Sequence, residues 1–273
     1  MPESAEVRSS ADILNSWVSG DQLSDIDSAD INGKFLKKDI KGIKSSNLYF
    51  GETLKEVHTK GKFMYFEFTN QKYLGCGLGM AAQWSQEKNK HTCFSLTFKN
   101  KGKIYFNDMR HFGNIEFMSK KDLDEKLNEL GIDLLPLDPA EISGVVDEIC
   151  EKLLISKQLI ADDLLNQNIF AGVGNYLRAE ALYDSGIDPM RFSFSLSESE
   201  VLKLSLSLNK IMNDAYRNKG ASILTYKNAD NSLGTFTFKC YGRDTDDRGN
   251  KILTRKTKND RTLYYCPEAI KTL

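Results

Sequence analysis

The sequence predicts an α+β protein built from an N-terminal antiparallel β-sandwich led by a helix, followed by a helical domain that ends in a β-hairpin. Three observations support this fold class. An apolar pattern of helical period opens the chain, short runs rich in aromatic and β-branched residues follow as far as residue 117, and a helical period returns from Lys120 before a turn-rich C-terminal part.

The opening helix is predicted over residues 3 to 18, where apolar side chains recur on one face, and Gly20 ends it. Short strands separated by Gly, Asn and Lys turns should follow, as in an antiparallel sandwich or barrel. These predicted strands are Asn47 to Phe50, Lys62 to Phe68, Tyr73 to Leu78, Thr92 to Phe98, Lys103 to Asn107 and Asn114 to Phe117.

The second half should be mainly helical. Leu134 to Pro139, with two prolines and one acidic residue, reads as a linker, and amphipathic helices are predicted over residues 145 to 167 and 198 to 217. A brief helix around Ala221 to Tyr226 precedes the predicted strands, which are Thr235 to Tyr241, Ile252 to Lys256 and Thr262 to Cys266.

Composition limits the class of protein. The 273 residues include 40% hydrophobic side chains and carry a net charge of −1, although residues 235 to 273 hold nine Lys/Arg against five Asp/Glu, a local balance of +4. No apolar run is long enough to cross a bilayer and the polar start is not a secretory signal, so we expect an intracellular protein without a membrane partner. Five cysteines without CxxC spacing argue against a disulfide framework.

The first candidate site is Met1-Pro2-Glu3. If Met1 is removed, Pro2 presents a secondary amine beside a carboxylate, a plausible pairing of a nucleophile that forms Schiff bases with a proton donor. Pro and Glu are also common residues at the start of a helix, so these residues taken alone favour a structural role.

The second candidate site is the turn Gly172-Val-Gly-Asn175. The glycines allow a tight turn and Asn175 stands where a helix begins, so exposed amides and an Asn side chain would suit a phosphate oxygen. A glycine turn capped by Asn is the structural alternative. A dinucleotide site is disfavoured because no third glycine follows and helix rather than strand precedes the turn.

These motifs, with several others in the same order, resemble the formamidopyrimidine-DNA glycosylase and endonuclease VIII (Fpg/Nei) family of base-excision repair enzymes. The resemblance spans nearly the whole chain. It rests on Met-Pro-Glu at 1 to 3, Thr-Lys-Gly-Lys at 59 to 62, Leu-Gly-Met at 78 to 80, Asp-Met-Arg-His-Phe-Gly at 108 to 113, Leu-Leu-Asn-Gln at 164 to 167, Gly-Val-Gly-Asn-Tyr at 172 to 176 and Tyr-Gly-Arg at 241 to 243. It implies a β-sandwich, a helix-two-turn-helix domain and a two-stranded finger, with DNA in the cleft between domains.

The resemblance implies a role for each matching residue. Pro2 is expected to attack C1′ of the damaged nucleotide, Glu3 to act as acid/base partner in ring opening, and Lys62 to donate a proton in β-elimination. Asn175 is expected to bind a DNA phosphate, and Arg261 to bind phosphate and assist δ-elimination.

Further DNA contacts are implied by position. Side chains that fill the gap left by an everted base would be Met80, Arg110 and Phe112, and such a gap costs a few kcal/mol of lost stacking. Met80 and Phe112 would fit a protein core equally well. His91 matches a DNA-contact histidine weakly, and His111 replaces the second arginine of the usual Arg-Arg-Phe-Gly, where it could still donate to a phosphate.

Several positions depart from the family pattern. Ser4 and Ala5 stand where Gly and Pro are usual, which adds a side chain beside the nucleophile. Ala161 replaces a common lysine and Asn166 an aspartate, which puts one DNA contact of the helical domain in doubt.

The C-terminal finger departs most from the family pattern. A tetrahedral zinc site needs four ligands, whereas Cys266 stands alone, with Ala269 in place of its partner and residues 246 to 251 in place of the other pair. We therefore predict a finger without zinc, held by strand pairing and by aromatic packing of Phe236, Phe238, Tyr264 and Tyr265. No metal and no redox cofactor are expected.

The sequence thus predicts a bifunctional DNA glycosylase/AP lyase that acts at DNA as a monomer. It is expected to be nearer to endonuclease VIII than to the branch of the family that acts on oxidised purines, and to prefer oxidised pyrimidines and hydantoins. Expected domains are a sandwich at 1–135, a linker at 136–144, a helix-two-turn-helix domain at 145–230 and the finger at 231–273. Two alternatives remain: a damaged-DNA or single-strand binding module without chemistry, and a protein-binding sandwich with a helical adaptor.

Overall fold

The computed structural model describes residues 1–28, 40–222, 226–258 and 260–270. The chain forms two compact units, the first comprising Met1–Glu129 with Asn218–Thr235 and the second Leu130–Arg217 with Phe236–Leu273. The segment Asn218–Thr235 therefore packs with the first unit although it follows the helices of the second. The predicted domain limits at 135, 144 and 230 stay predictions.

The first unit consists of a leading helix and two four-stranded antiparallel sheets, with one more helix at the end of Met1–Glu129. The sheets have the strand orders β1-β6-β7-β5 and β2-β3-β4-β8. The elements are α1 Ser4–Val18, β1 Leu23–Asp27, β2 Leu54–Lys60, β3 Phe63–Phe68, β4 Lys72–Gly77, β5 Gln83–Ser85, β6 Thr92–Phe98, β7 Gly102–Asn107, β8 Asn114–Met118 and α2 Lys120–Glu129.

One apolar core joins both sheets and α1. Trp84 lies at its centre, with ring centroids 5.1 Å from Phe66 of one sheet and 5.2 Å from Phe106 of the other. Val7, Ala11 and Leu14 of α1 belong to the same buried cluster. Residues of both antiparallel sheets and of α1 share this core, which confirms the predicted antiparallel sandwich led by a helix.

The three strands of these sheets that sequence patterning missed all lie at sheet edges. β1 and β5 flank one sheet and β2 flanks the other. Edge strands are commonly charged, which weakens their apolar alternation, and β2 reads Leu-Lys-Glu-Val-His-Thr-Lys. The predicted strand Asn47 to Phe50 was wrong: this segment ends a 3₁₀ helix, Ile43–Tyr49, because the Tyr49 hydroxyl donates to the Tyr73 carbonyl at 2.8 Å inside the core.

The second unit is mainly helical and ends in a hairpin. Its elements are β9 Ile132–Asp133, α3 Ser143–Leu154, α4 Ile160–Asp163, β10 Phe170–Ala171, α5 Asn175–Ser185, α6 Glu198–Arg217, β11 Leu253–Lys256 and β12 Thr262–Tyr265. β11 and β12 pair antiparallel, as predicted for the finger. None of the helices described here has the length and apolar character needed to span a bilayer.

Three predicted segments differ from the structure. The helix expected over residues 145 to 167 is divided into α3 and α4, since the chain between them is extended at Leu159. Thr235 to Tyr241 is irregular rather than a strand. The expected helix at Ala221 to Tyr226 falls partly on residues 223 to 225, outside the described residues, and neither of its end residues is helical.

Candidate functional site

The N-terminal residues form a buried capping box at the start of α1. Glu3 is the N-cap residue, and its carboxylate accepts the backbone N–H of Glu6 while the Glu6 carboxylate accepts the Glu3 N–H at 2.8 Å. Pro2 is buried, and Glu3 and Glu6 are only 3% and 1% exposed. The reciprocal hydrogen bonds fix the direction in which the chain enters the helix, and with it the position of Pro2.

Glu6 also fixes a second segment of the first unit, a role that sequence reasoning missed. Its Oε1 accepts the Ala221 N–H at 2.7 Å. Gly220, at φ 102°, lies so close that an added Cβ would be 2.9 Å from Glu6 Cγ. The Glu-x-x-Glu spacing of a capping box was visible in the sequence, whereas the contact with a residue 215 positions away was not.

Several charges act on the N-terminal amine. Burial lowers the pKa of the Met1 ammonium below its ordinary value, Glu3 and Glu6 oppose the shift, and Arg110 and Lys62 add to it. Lys62 is half-buried in the turn between β2 and β3, where Gly61 has φ 58°. The structure thus brings four of the predicted site residues, Pro2, Glu3, Lys62 and Arg110, to one end of the sandwich.

The loop that carries Arg110 and Phe112 is shaped by one buried carboxylate. Asp108 is 0% exposed and accepts backbone N–H groups of Arg110 at 3.1 Å, His111 at 2.9 Å and Gly113 at 2.7 Å. These bonds curl residues 108 to 113 around the carboxylate, so the side chains of the loop must point outwards. Asp108 had been noted only as part of a motif.

Met80 and Phe112 are surface residues of two loops in contact. Gly79, at φ 56°, approaches so closely that an added Cβ would lie 2.4 Å from the Phe112 carbonyl oxygen. Met80 is 37% and Phe112 61% exposed, and Arg110 Nη1 lies 3.9 Å from Met80 Sδ. Exposed Met and Phe side chains beside an arginine fit a wedge better than the core role that the sequence left open.

The two candidate histidines border the same loop. His111 adopts φ 55°, an uncommon left-handed conformation that the Asp108 hydrogen bond to its N–H supports. The carbonyl of His91 accepts the Asp108 N–H at 2.9 Å. Both residues therefore lie at this loop of the first unit, and their contacts with DNA stay predictions.

In the second unit, Asn175 and Arg261 lie at adjoining positions. Asn175 begins α5, as predicted, and its Nδ2 donates to the Thr262 carbonyl at 2.9 Å, next to Arg261. Arg178, which is fully buried, donates to Asn175 Oδ1 and to the Ala161 carbonyl at 3.1 Å. Arg261 is exposed. The Asn175 amide thus ties the turn to the finger, while its phosphate contact stays a prediction.

Two buried carboxylates organise the finger. Glu180 accepts the backbone N–H groups of Lys239, Cys240 and Tyr241 at 2.7 to 2.9 Å, which explains why this segment is not a strand. Burial raises the pKa of Glu180 and the three N–H donors oppose the rise, so its ionised form depends on them. Asp246 accepts the Tyr183 hydroxyl at 2.9 Å.

Asp246 also closes the turn before β11. It accepts the N–H groups of Arg248 at 2.9 Å and Asn250 at 2.8 Å. In the part of the chain that the structure describes, no three His, Cys, Asp or Glu side chains are grouped to hold a metal ion. The finger without zinc stays a prediction. Its predicted aromatic packing is seen for Phe236 and Phe238 around Tyr176 and for Tyr264 against Tyr241.

Comparison with known proteins agrees with this geometry. Residues 1–115 match the formamidopyrimidine-DNA glycosylase N-terminal domain, and residues 135–227 match the formamidopyrimidine-DNA glycosylase H2TH domain. The chain belongs to the Fpg/Nei family. It is therefore a DNA glycosylase of base-excision repair, with the mixed α+β fold that its sequence predicted.

Individual relatives cover almost the whole chain. The formamidopyrimidine-DNA glycosylase of Exiguobacterium sp. is 29% identical over 281 residues, covering 98% of both chains, and that of Rickettsia conorii is 29% identical, covering 97% of this chain and 98% of its own. The crystal structure of the MutM (Fpg) protein from Thermus thermophilus superposes with a TM-score of 0.85 at 26% identity, covering 98% of each chain.

Proposed function

We propose that this Fpg/Nei protein is a bifunctional DNA glycosylase/AP lyase that removes oxidised bases with the Pro2 amine as nucleophile. The observation that supports it most is the buried Pro2–Glu3 start of α1. The pKa of the amine just before Pro2, that of Met1, is lowered by burial, Arg110 and Lys62, while Glu3 and Glu6 oppose the shift. After removal of Met1, the Pro2 amine would lie one residue further along in the same surroundings. A lower pKa leaves more amine unprotonated near neutral pH, and only the unprotonated amine has a lone pair to attack carbon.

The chemistry follows from these groups. After Met1 is removed, the Pro2 nitrogen bonds to C1′, the damaged base leaves as its glycosidic bond breaks, and Glu3 supplies a proton to O4′ as the sugar ring opens. The resulting iminium acidifies the C2′–H bond. Loss of that proton expels the 3′ phosphate, with Lys62 as proton donor, and a second elimination expels the 5′ phosphate that Arg261 binds.

The remaining predicted residues would hold the DNA. Met80, Arg110 and Phe112 would fill the gap left by the everted nucleotide, and His91, His111 and Asn175 would contact its backbone. Solved structures of the Lactococcus lactis Fpg include complexes with DNA containing an abasic site and with DNA containing an oxidised pyrimidine. Oxidised pyrimidines and hydantoins are the proposed preference here, because the short segment 227 to 234 leaves little chain to fold over a purine.

Borohydride trapping on DNA with a single abasic site tests the proposal. Reduction of the imine should join protein to DNA covalently, and a variant with an extra residue before Pro2 or with Glu3→Gln should lose the adduct. Glu129→Gln, an exposed carboxylate at the end of α2, is the matched control and should be trapped like the parent protein.

The outcomes separate the competing functions. Salt-sensitive DNA binding without any adduct would identify a binding module, and the absence of such binding would identify a protein-interaction domain. An adduct whose DNA-linked peptide does not begin at Pro2 would refute the proposed nucleophile.

A further inference from the structure

A groove on the second unit is not used by the proposed chemistry. It lies between α3, α6 and the turn at Ser193–Ser195, and it encloses about 370 Å³. We call it the α3–α6 groove. Its walls include Asp147, Cys150, Glu151 and Leu154 on one side and Phe194, Leu196 and Glu198 on the other.

α3 has two distinct faces. Val146, Ile149 and Leu153 are buried in the unit, as expected of an amphipathic helix. Asp147, Cys150, Glu151 and Leu154 are spaced i, i+3, i+4 and i+7, so they form a second stripe, and this stripe lines the α3–α6 groove. This second stripe combines two carboxylates, Asp147 and Glu151, with the apolar Cys150 and Leu154.

The apolar surface continues around the mouth of the groove. Leu154 is 70%, Ile155 81%, Phe192 50% and Phe194 49% exposed. The rings of Phe192 and Phe194 stack on each other with centroids 5.4 Å apart. Exposed apolar side chains in one patch with a polar rim are typical of interaction surfaces.

The acidic residues around the α3–α6 groove indicate the charge of the partner that it would bind. Asp147, Glu151 and Glu198 are exposed, and within the described residues none of them forms an ion pair. Neighbouring acids on the same elements are paired: Glu148 with Lys152, and Glu200 with Arg191. Unpaired carboxylates around an apolar groove attract Lys and Arg, and they repel nucleic acid.

We propose that the α3–α6 groove binds an amphipathic helix of a partner protein, with apolar side chains at i, i+3, i+4 and i+7 and with Lys or Arg beside them. The apolar face of such a helix would cover Leu154 and Phe194, and its cations would meet Asp147, Glu151 and Glu198. None of the residues that line the groove is one of the proposed glycosylase residues.

Fluorescence anisotropy with a labelled 16-residue peptide tests the proposal. The peptide carries Leu at the four anchor spacings and Lys between them. Two comparison peptides have Glu in place of Lys, or the same composition in scrambled order. Only the first should bind, and Glu151→Lys or Phe194→Ser should weaken its binding by about tenfold or more, because a like charge or a lost anchor acts at the centre of the contact.

Glu148→Lys is the matched control on the same helix. Glu148 is exposed and does not line the groove, so this variant should bind the peptide within about twofold of the parent protein. Urea unfolding of each variant at the parental midpoint would show that the losses are local.

Four results would overturn the proposal. Two concern the peptides: the first peptide does not bind, or the scrambled peptide binds as tightly. The other two are that Glu148→Lys and Glu151→Lys weaken binding equally, and that an undamaged 20-base-pair duplex displaces the peptide. Sedimentation adds a fifth, because self-association that Phe194→Ser abolishes would make a second copy of this chain the occupant.

Discussion

Replacement of Glu180 should loosen the finger. This carboxylate is 2% exposed and accepts the N–H groups of Lys239, Cys240 and Tyr241. Glu180→Ala leaves three backbone donors without an acceptor, of which that of Cys240 is buried and those of Lys239 and Tyr241 are part-buried. At about 1–3 kcal/mol for each donor, we expect a loss of about 4 kcal/mol of unfolding free energy after partial rescue by water. Glu180→Gln keeps one acceptor oxygen but places the side-chain NH2 group opposite a backbone N–H, which should lower the unfolding free energy by about 2 kcal/mol.

Urea unfolding followed by circular dichroism measures this loss. With a slope of about 2 kcal/mol per molar urea, Glu180→Gln should lower the midpoint by about 1 M and Glu180→Ala by about twice as much. Hydrogen exchange of the peptide covering residues 239 to 241 should accelerate in both variants. Asp247→Asn removes a finger carboxylate that is 67% exposed and paired with Arg243, and it should change the midpoint little.

Equal midpoints for the Glu180 variants and the Asp247 control would refute this reasoning. So would unchanged exchange in residues 239 to 241, because the backbone donors would then have another acceptor.

Four other predictions concern the site, the sandwich and the finger. Arg110→Gln should move the pH at which borohydride trapping is half-maximal upwards, because Arg110 lowers the pKa of the Met1 amine and should act in the same direction on the neighbouring Pro2 amine once Met1 is removed; an unchanged pH profile would contradict this. Phe112→Ala should slow excision from duplex DNA more than from single strands, with an unchanged melting temperature, since its side chain is 61% exposed and would only replace lost stacking. Hydrogen bonds from Lys72, Thr69 and Asn70 lower the pKa of Glu52 from 4.5 to about 2, so wild type should exceed Glu52→Gln in melting temperature above pH 4.5, and the difference should shrink as pH falls towards 2. Treatment with a zinc chelator should leave the melting temperature unchanged, and a drop would show that a metal holds the finger.

The sequence predicted all four central strands and one of the four edge strands, β8. β3, β4, β6, β7 and β8 contribute apolar residues to a shared core, so their apolar pattern can be recognised in the sequence before the fold is known. The three missed strands, β1, β2 and β5, are edge strands; charged residues interrupt the apolar pattern of β1 and β2, and β5 has only three residues. Their identity as strands depends on neighbours far away in the chain.

The residues of the candidate site also fall into a group that the sequence predicted and a group whose roles it did not reveal. Pro2, Glu3, Lys62 and Asn175 could be predicted as site residues because motifs of fixed residue type and spacing mark them, and the chemistry proposed for them is a property of those side chains. Glu6, Asp108 and Glu180 were not assigned roles, because a buried carboxylate in the sequence looks like any other acid. Their backbone partners are up to 215 positions away.

The sequence by itself thus determined the fold class and the family and predicted the reactive side chains, since these depend on local periodicity and residue chemistry. Only the tertiary structure decided which carboxylates hold the loops in place, why residues 239 to 241 leave the strand pattern, and which apolar side chains stay on the surface. Hydrogen-bond partners and burial are relations between distant residues, and folding alone brings those residues together.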